Sequence, residues 1–409
     1  MKKLITFLFA AGFIFSATSS LLAGGIDNKT NYSADYIRTL NRNAATESAD
    51  AVVYNPAGVM QMEDGLYLKL DVQYTLIKEP ANTIGGIELE SDATDFVPGL
   101  FALYKRDKWA AFAAFNIPAG GGTVEFERGS ATTFAIAQGL LALPVFSTVT
   151  NQYLEGESVY YGFTVGGAYA INDMISVSLG VRFVDAEKEA QGFVTVANPA
   201  PATSFFVDFE QSDDGWGGIV GVNISPTKEL NIGLRYETKT SLDLEYKVNR
   251  DDVGLFTPGA VEKRDLPGLL GLGVAYTVTP KVKVEADLTY YLNEDVDWSD
   301  PKFSNRVDNG YDAGIALEYT FNSKLKGSVG YLFTESGLDP DAMLPEWPEL
   351  DANSIAAGVA YEPTPALSLN FGLTKVFYSD ETATVRMTPN VKLEKDVLLV
   401  AFGIQYKFK

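Results

Sequence analysis

The amino-acid sequence predicts an all-β fold: a transmembrane antiparallel β-barrel of about fourteen strands, with an N-terminal segment plugging its lumen. Three observations carry that prediction. A secretory leader is followed by no apolar stretch long enough for a spanning helix, apolar and polar residues alternate strictly over long segments, and short and long connections take turns along the chain.

Met1, Lys2 and Lys3 open the chain with charge, Leu4 to Phe15 form an apolar run, and the small residues Ser16 to Ser20 follow. This pattern is a signal peptide over residues 1–23, with cleavage expected after Ala23. Nothing beyond it approaches the roughly 18 to 20 uninterrupted apolar residues that a membrane helix needs. An exported chain can still enter a membrane as a closed barrel, in which every backbone group pairs between strands.

Composition agrees. Of 409 residues, 37 are glycine, 21 tyrosine and 25 phenylalanine, a profile of strands and turns. There is no cysteine and no histidine, which removes disulfides, thiolate chemistry, the commonest metal ligand and every histidine-based catalytic arrangement. The chain is read as a non-enzyme with neither cofactor nor metal. A formal net charge of −21 argues against nucleic acid as a partner. The acids gather between apolar segments, as in Asp295, Asp297, Asp300 and Asp308, or Glu335, Asp339, Asp341, Glu346, Glu349 and Asp351. They read as solvated loops, and no EF-hand spacing occurs among them.

From Leu230 to Val248 the even positions are almost all apolar while the odd ones carry Asn231, Arg235, Glu237, Lys239, Asp243, Glu245 and Lys247. Residues 281–293 repeat the pattern. Alternation over ten or more residues is a strand signal, and its length suits a tilted bilayer crossing better than a soluble sandwich. Such segments fall at 66–79, 94–106, 108–117, 156–171, 174–190, 206–224, 229–249, 266–279, 281–293, 307–321, 324–334, 352–362, 366–379 and 394–408. After every second strand the connection is tight, built on Arg106-Asp107, Asn172-Asp173, Pro226-Thr227, Pro280, Asn322-Ser323 and Pro363-Thr364-Pro365. The remaining connections are mostly long and acidic. That asymmetry puts the short turns and both termini in the periplasm. The last strand ends on Phe408, followed by Lys409, and resembles the aromatic C-terminal signal read by the barrel assembly machinery. Expected partners are therefore that machinery and outer membrane lipid, for a barrel acting as a monomer.

Residues 24–65 lack the strand pattern and are rich in small and polar side chains. A periplasmic tail and a lumen plug are both open, and fourteen strands favour the plug because side chains alone fill only a barrel of about eight. This segment contains Arg42-Asn43-Ala44-Ala45 and then Ser48-Ala49-Asp50-Ala51-Val52-Val53-Tyr54-Asn55-Pro56-Ala57-Gly58. Here the sequence resembles the FadL-type family of long-chain fatty acid transporters and toluene porins, whose hatch signature matches Asn55, Pro56, Ala57 and Gly58. The resemblance implies the bacterial cell outer membrane, a hatch over residues 24–65, a barrel over 66–409, and passive uptake of a hydrophobic small molecule, fatty acid or hydrocarbon.

Phe115 to Gly122 resembles the family's kinked third strand, which opens the barrel wall sideways, with Asn116, Pro118 and Gly120 as the candidate residues. Proline removes a ladder donor and glycine tolerates irregular backbone; the bland alternative is a strand ending at a loop. The long connection from 118 to 155 holds Phe134, Ile136, Leu140, Leu141, Leu143 and Phe146, apolar nearly all round when set at helical spacing. It is either a packed lid or a surface for a hydrophobic ligand. Leu255 and Phe256, with Leu266, Leu269 and Leu270 beyond, form a second candidate region; ordinary loop packing is the bland reading of both. Arg42, Arg182 and Arg235 are candidate carboxylate partners, though lumen acids such as Glu237 and Glu285 are the usual mates of internal cations. A general porin, an adhesin or surface antigen using the acidic loops, and an outer-membrane hydrolase are the competing readings.

Overall fold

The computed structural model describes residues 33–91, 94–299, 306–385 and 388–408. The signal-peptide reading of residues 1–23 lies outside the described residues. Fourteen antiparallel strands close into a barrel. They are β1 (Gly65–Ile84), β2 (Ile87–Glu90 continued by Phe96–Arg106), β3 (Trp109–Phe126), β4 (Phe146–Ala170), β5 (Ile175–Pro199), β6 (Thr203–Ile224) and β7 (Leu230–Glu237 continued by Asp243–Asp251). There follow β8 (Val261–Lys263 continued by Gly268–Thr279), β9 (Val282–Leu292), β10 (Gly310–Asn322), β11 (Leu325–Glu335), β12 (Ala352–Thr364), β13 (Leu367–Tyr378 continued by Glu381–Val385) and β14 (Thr388–Phe408). Closure is made by β1 and β14, paired from Leu66–Phe408 to Thr83–Lys392.

Several strands extend beyond their expected ends, among them β1 to Ile84, β5 to Pro199 and β14 from Thr388, and two of the differences shape the site. β3 does not stop near residue 117 but continues to Phe126, and β4 begins at Phe146 rather than 156. The Pro-Gly stretch that suggested an ending is absorbed by two register shifts against β4, between Asn116 and Ala119 and between Ala119 and Gly122. The expected 118–155 connection therefore shrinks to 127–145, most of it the helix α1 (Ala131–Leu141), capped by the Ser130 hydroxyl, with the Ser130 amide donating in return to the Thr133 hydroxyl.

Alternation places Leu66, Leu68, Leu70 and Tyr74 outward on β1 and Tyr67, Lys69, Asp71 and Gln73 inward. Around the rim that carries the tight turns, Trp109, Tyr169, Tyr276, Phe321, Tyr361 and Phe408 are exposed on the outside. Farther out, Phe115, Phe163, Phe183 and Trp216 form a continuous row across β3 to β6, with centroid separations of 5.1, 6.4 and 5.0 Å. Two aromatic levels bounding an apolar belt are the signature of a bilayer crossing.

Beyond that outer row the polarity of the wall inverts. On β5, Leu179 and Val181 face out while Ser178 and Arg182 face in; past Phe183, Glu187 and Glu189 face out while Val184, Ala186, Ala190 and Val194 face in. β6 inverts at Trp216, with Phe205, Val207 and Phe209 turned inward and Asp208, Glu210 and Asp214 on the other face. β7 reaches the same result by breaking: Leu234 and Tyr236 face lipid, but after the interruption at 238–242 Leu244 and Tyr246 are buried inside. The uniform oily face expected for 230–248 is thus two faces. The cause is solvent: lipid surrounds the lower wall and water the upper, so apolar side chains point wherever water is absent.

Candidate functional site

The lower lumen is occupied by residues 33–62, folded as a one-turn helix (Ala34–Ile37) and two 3₁₀ turns (Ala49–Val53 and Gly58–Gln61). The segment is held by directional polar contacts. Arg42 donates to Asp50 through Nε (3.2 Å) and Nη2 (2.8 Å) and to Glu47 through Nη1 (2.5 Å), while the amides of Arg42 and Asn43 both donate to Asp287 of β9 at 2.5 and 2.6 Å. Arg38 donates to Glu318 (2.5 Å) and Asn370 (3.2 Å), and Lys69 to Asp35. Burial alone would raise the Glu47 carboxyl, but Lys283 and Arg42 beside it hold it well below the usual range. Asp35 is likewise lowered, burial being outweighed by Lys69, Arg42 and Arg38.

The Asn-Pro-Ala-Gly stretch anchors this segment to the wall. Asn55 Nδ2 donates to the Ala45 carbonyl (3.0 Å) and to Asn223 Oδ1 of β6 (2.7 Å), and Ser176 of β5 donates to the Ala57 carbonyl (2.7 Å). Pro56 lies over Gly221, and a Cβ on Gly58 would collide with the Asn55 side chain and the Ala45 carbonyl. The four residues form a compact turn that only glycine can close at its end.

The upper lumen has a different chemistry. Ile136, Leu140, Leu143 and Phe146 pack with Leu154, Val194, Phe205, Phe209, Trp347 and Leu350 in one cluster, and Phe134, Leu141, Leu255 and Phe256 are half-buried against it. Phe256 meets Phe209 at 4.5 Å and Tyr246 at 5.4 Å, and Phe146 meets Phe205 at 6.0 Å. The two apolar regions marked in the sequence thus converge, although Leu266 and Leu269 pack elsewhere and Leu270 faces lipid. Between α1 and the β4–β6 wall lies an apolar cavity of about 20 Å³, lined by Ile136, Leu154, Ala190, Val194, Phe205, Val207, Phe209 and Val253. Sequence reasoning passed over most of these wall residues, because a strand pattern alone does not say which solvent surrounds it.

A third feature is the seam between β2 and β3. Their ladder runs from Arg106–Trp109 only as far as Leu100–Phe115, whereas Phe96–Gly99 remain paired to β1. From Asn116 onward β3 leans on β4, with Asn116 buried, Pro118 packed over Gly162, and Gly120 and Gly122 at φ of 90° and 65°. Cβ atoms there would strike the Ser158 carbonyl and the Asp95 carboxylate. The lumen wall just inside is mixed: Ala119, Tyr160, Val184 and Ala186 are in contact, with Ser158 and Lys188 buried beside them and Lys188 Nζ 5.2 Å from the centre of the Tyr160 ring. On the outer surface beside the seam is an apolar hollow of about 600 Å³ walled by Leu68, Leu70, Leu100, Phe115, Phe163 and Tyr406, with Ala102 and Ala113 as its floor.

The three candidate arginines are all engaged with the protein itself: Arg42 as above, Arg182 with Glu237 at 2.7 Å, and Arg235 with Glu237 at 3.2 Å and the Val53 carbonyl. The acidic loops are not uniformly solvated. Glu346 and Glu349 are buried, and Glu346 accepts from Ser130 Oγ at 2.5 Å. Among the described residues no cluster of acids is arranged to hold a metal.

Comparison with known proteins adds the family. Residues 14–409 match the model described as "Outer membrane protein transport protein (OMPP1/FadL/TodX)". A search of curated proteins finds no match. Among solved structures, a Pseudomonas aeruginosa FadL homologue superposes with a TM-score of 0.71 at 14% identity, covering 94% of this chain and 100% of its own. The Pseudomonas putida toluene transporter TodX gives 0.66 at 16% (89% and 96% covered), and the Ralstonia pickettii toluene transporter TbuX 0.63 at 14% (91% and 99%). At these identities the likeness is one of fold.

Proposed function

Because the chain belongs to the OMPP1/FadL/TodX family of outer membrane transport proteins, we propose that it passes hydrophobic small molecules, such as long-chain fatty acids, into the cell by passive diffusion with sideways exit through the barrel wall. The observation that carries this reading is the coincidence of an apolar upper lumen with an interrupted β2–β3 ladder at the level where lipid begins. An apolar molecule captured near Phe134, Leu141, Leu255 and Phe256 meets mostly oily side chains down to Ala119 and Tyr160, where Lys188 and Ser158 are the polar neighbours. Below that level it faces the ion-paired segment 33–62, which offers apolar matter no favourable path. The kink at Asn116, Pro118 and Gly120 leads instead to the apolar hollow on the lipid side. Residues 24–65 act as the hatch, with Asn55, Pro56, Ala57 and Gly58 fixing it to β5 and β6.

A neutral aromatic hydrocarbon is the second reading of the cargo. It is favoured by the arginines: Arg42, Arg182 and Arg235 are already bonded to carboxylates, whereas a fatty acid would ask one of them to change partner. No step in either case calls for a cofactor, and the chain is expected to work as a monomer inserted by the barrel assembly machinery.

The test is uptake of labelled oleate and of toluene into vesicles carrying the full chain. Both readings fail if neither compound crosses faster than in empty vesicles. Gly120→Val, which puts a β-branched residue at φ 90°, is expected to cut uptake roughly tenfold through about 1–3 kcal/mol of backbone strain at the kink, without raising ion conductance.

A further inference from the structure

The loop from 336 to 351 joins β11 and β12, which stand across the fourteen-strand ring from β4. It nevertheless touches β4. The Cη2 atom of Trp347 lies 2.5 Å from the position that a Cβ on Gly156 would take, so the ring rests directly on the β4 backbone, where any other residue would displace it. The loop spans the barrel mouth as a strap, and it is fastened on either side of Trp347: Asn82 of β1 donates to the Pro345 carbonyl at 2.5 Å, and Lys395 of β14 to the Pro348 carbonyl at 3.4 Å.

The rung on which Trp347 sits matters. Gly156 pairs with Val124 and Ala190; one inward-facing step outward is Leu154, which lines the apolar cavity under α1, and one step deeper is Ser158, opposite Gly122 of the kink. Trp347 therefore stands between the outer cavity and the wall opening. Next to it, Glu346 is 2% exposed and its Oε1 accepts from Ser130 Oγ at 2.5 Å and from the Thr132 amide at 3.4 Å, tying the strap to the N-terminus of α1. The seat is imperfect in one respect. Trp347 is 3% exposed, yet its Nε1 has no hydrogen-bond partner among the described residues, and a buried indole N–H normally finds one.

We infer that Trp347 is a movable stopper which sets the rate and size limit of passage from the outer cavity to the β2–β3 opening, with Glu346 as the latch that positions it. The inference rests on the transport reading above. A hydrophobic molecule entering the cavity competes for the apolar surface that Trp347 covers, and the ring, held by packing while the strap's bonds at Pro345, Glu346 and Pro348 hold only its neighbours, swings aside about its own side-chain torsions. Apolar contact is non-directional, so the seat can reform around either occupant.

Two measurements on the full chain in phosphatidylethanolamine–phosphatidylglycerol vesicles test this. In uptake, Trp347→Ala is expected to speed entry of toluene about tenfold, as loss of roughly 1.4 kcal/mol of barrier would, and to admit larger hydrocarbons. Trp347→Phe, which keeps a ring and drops the unpartnered N–H, should restore slow entry, and Glu346→Ala should fall between. A Trp347→Ala rate equal to or below the wild-type rate overturns the stopper. The second measurement needs no transport: with Trp109, Trp216 and Trp298 replaced by phenylalanine, Trp347 emission should be blue-shifted and shielded from acrylamide, then become accessible when toluene is added. Emission unchanged by saturating toluene overturns the proposal as well. Absence of uptake in every variant, with Trp347 still responding, would instead reject the transport reading and leave the binding-linked movement standing.

Discussion

The two halves of the lumen are filled by opposite chemistries, although the same strands line both. Below the Phe115–Phe163–Phe183–Trp216 row the space holds a segment fixed by Arg42, Arg38 and Lys69 to buried carboxylates. Above it the space holds leucine, phenylalanine and valine from α1 and the loops. Buried charges have few acceptable arrangements, because each must keep its partner or face a large desolvation penalty. Apolar side chains have many, since any contact that excludes water is nearly as good as another. The lower filling is suited to sealing against ions, and the upper to yielding to an oily molecule and closing behind it. Only the solvent outside the wall differs between the halves, and the inversion of β5 and β6 records where it changes.

The comparison is broken most forcefully at Arg42. Arg42→Met leaves Asp50 without its cation and Glu47 with Lys283 alone beside it, and removing one member of a buried pair costs about 3–5 kcal/mol. The segment should leave its seat, so that planar bilayers containing the variant conduct ions where the wild type does not. An unchanged conductance would mean that the polar filling is not what seals the pore. In the upper half, Leu140 is fully buried on α1, and Leu140→Ala should cost about 2–5 kcal/mol of local packing. Here the outcome has the opposite character: faster hydrogen exchange through 131–146, with bilayers still sealed. Ion leakage from this variant would show that the two fillings are one cooperative unit.

How much of this was legible beforehand follows from the same physics. Strand number and the exchange of tight and long connections are legible because alternation and turn residues are local signals, whereas Asn55–Gly58 stand out only through the family resemblance. The inversion was also written in the sequence: Leu179 and Val181 give way to Glu187 and Glu189 at positions of the same parity. Parity alone does not reveal it, because one face of a strand can meet lipid at one level and water at the next. The strap escaped for a related reason. Leu338, Met343, Trp347 and Leu350 lie in a stretch dominated by acids, and average charge masked apolar residues that fold inward. The end of β3 was misplaced because Pro118 and Gly120 signal irregularity without saying whether a strand stops or bends. Which side chain meets which between segment and wall, as Arg38 meets Glu318 and the Asn43 amide meets Asp287, depends on the closed ring and has no local signature.

A gentler intervention separates shape from charge in the lower half. Inward-facing glycines on β8, β11, β12 and β13 make a track for the segment's backbone: a Cβ on Gly273 would meet Asn43 and Ala44, one on Gly330 the Thr39 carbonyl, one on Gly358 Arg38, and one on Gly372 Ile37 and Arg38. Gly330→Ala changes no charge and adds one methyl group where backbone already lies. Overpacking of this kind costs about 1–3 kcal/mol, less than Arg42→Met because the ion pairs survive and the segment can tilt away. Conductance should therefore appear as brief openings rather than a steady current, and a further Gly273→Ala should lengthen them. If Gly330→Ala is as silent as the wild type, the seat has slack, and charge pairing alone holds the segment in place.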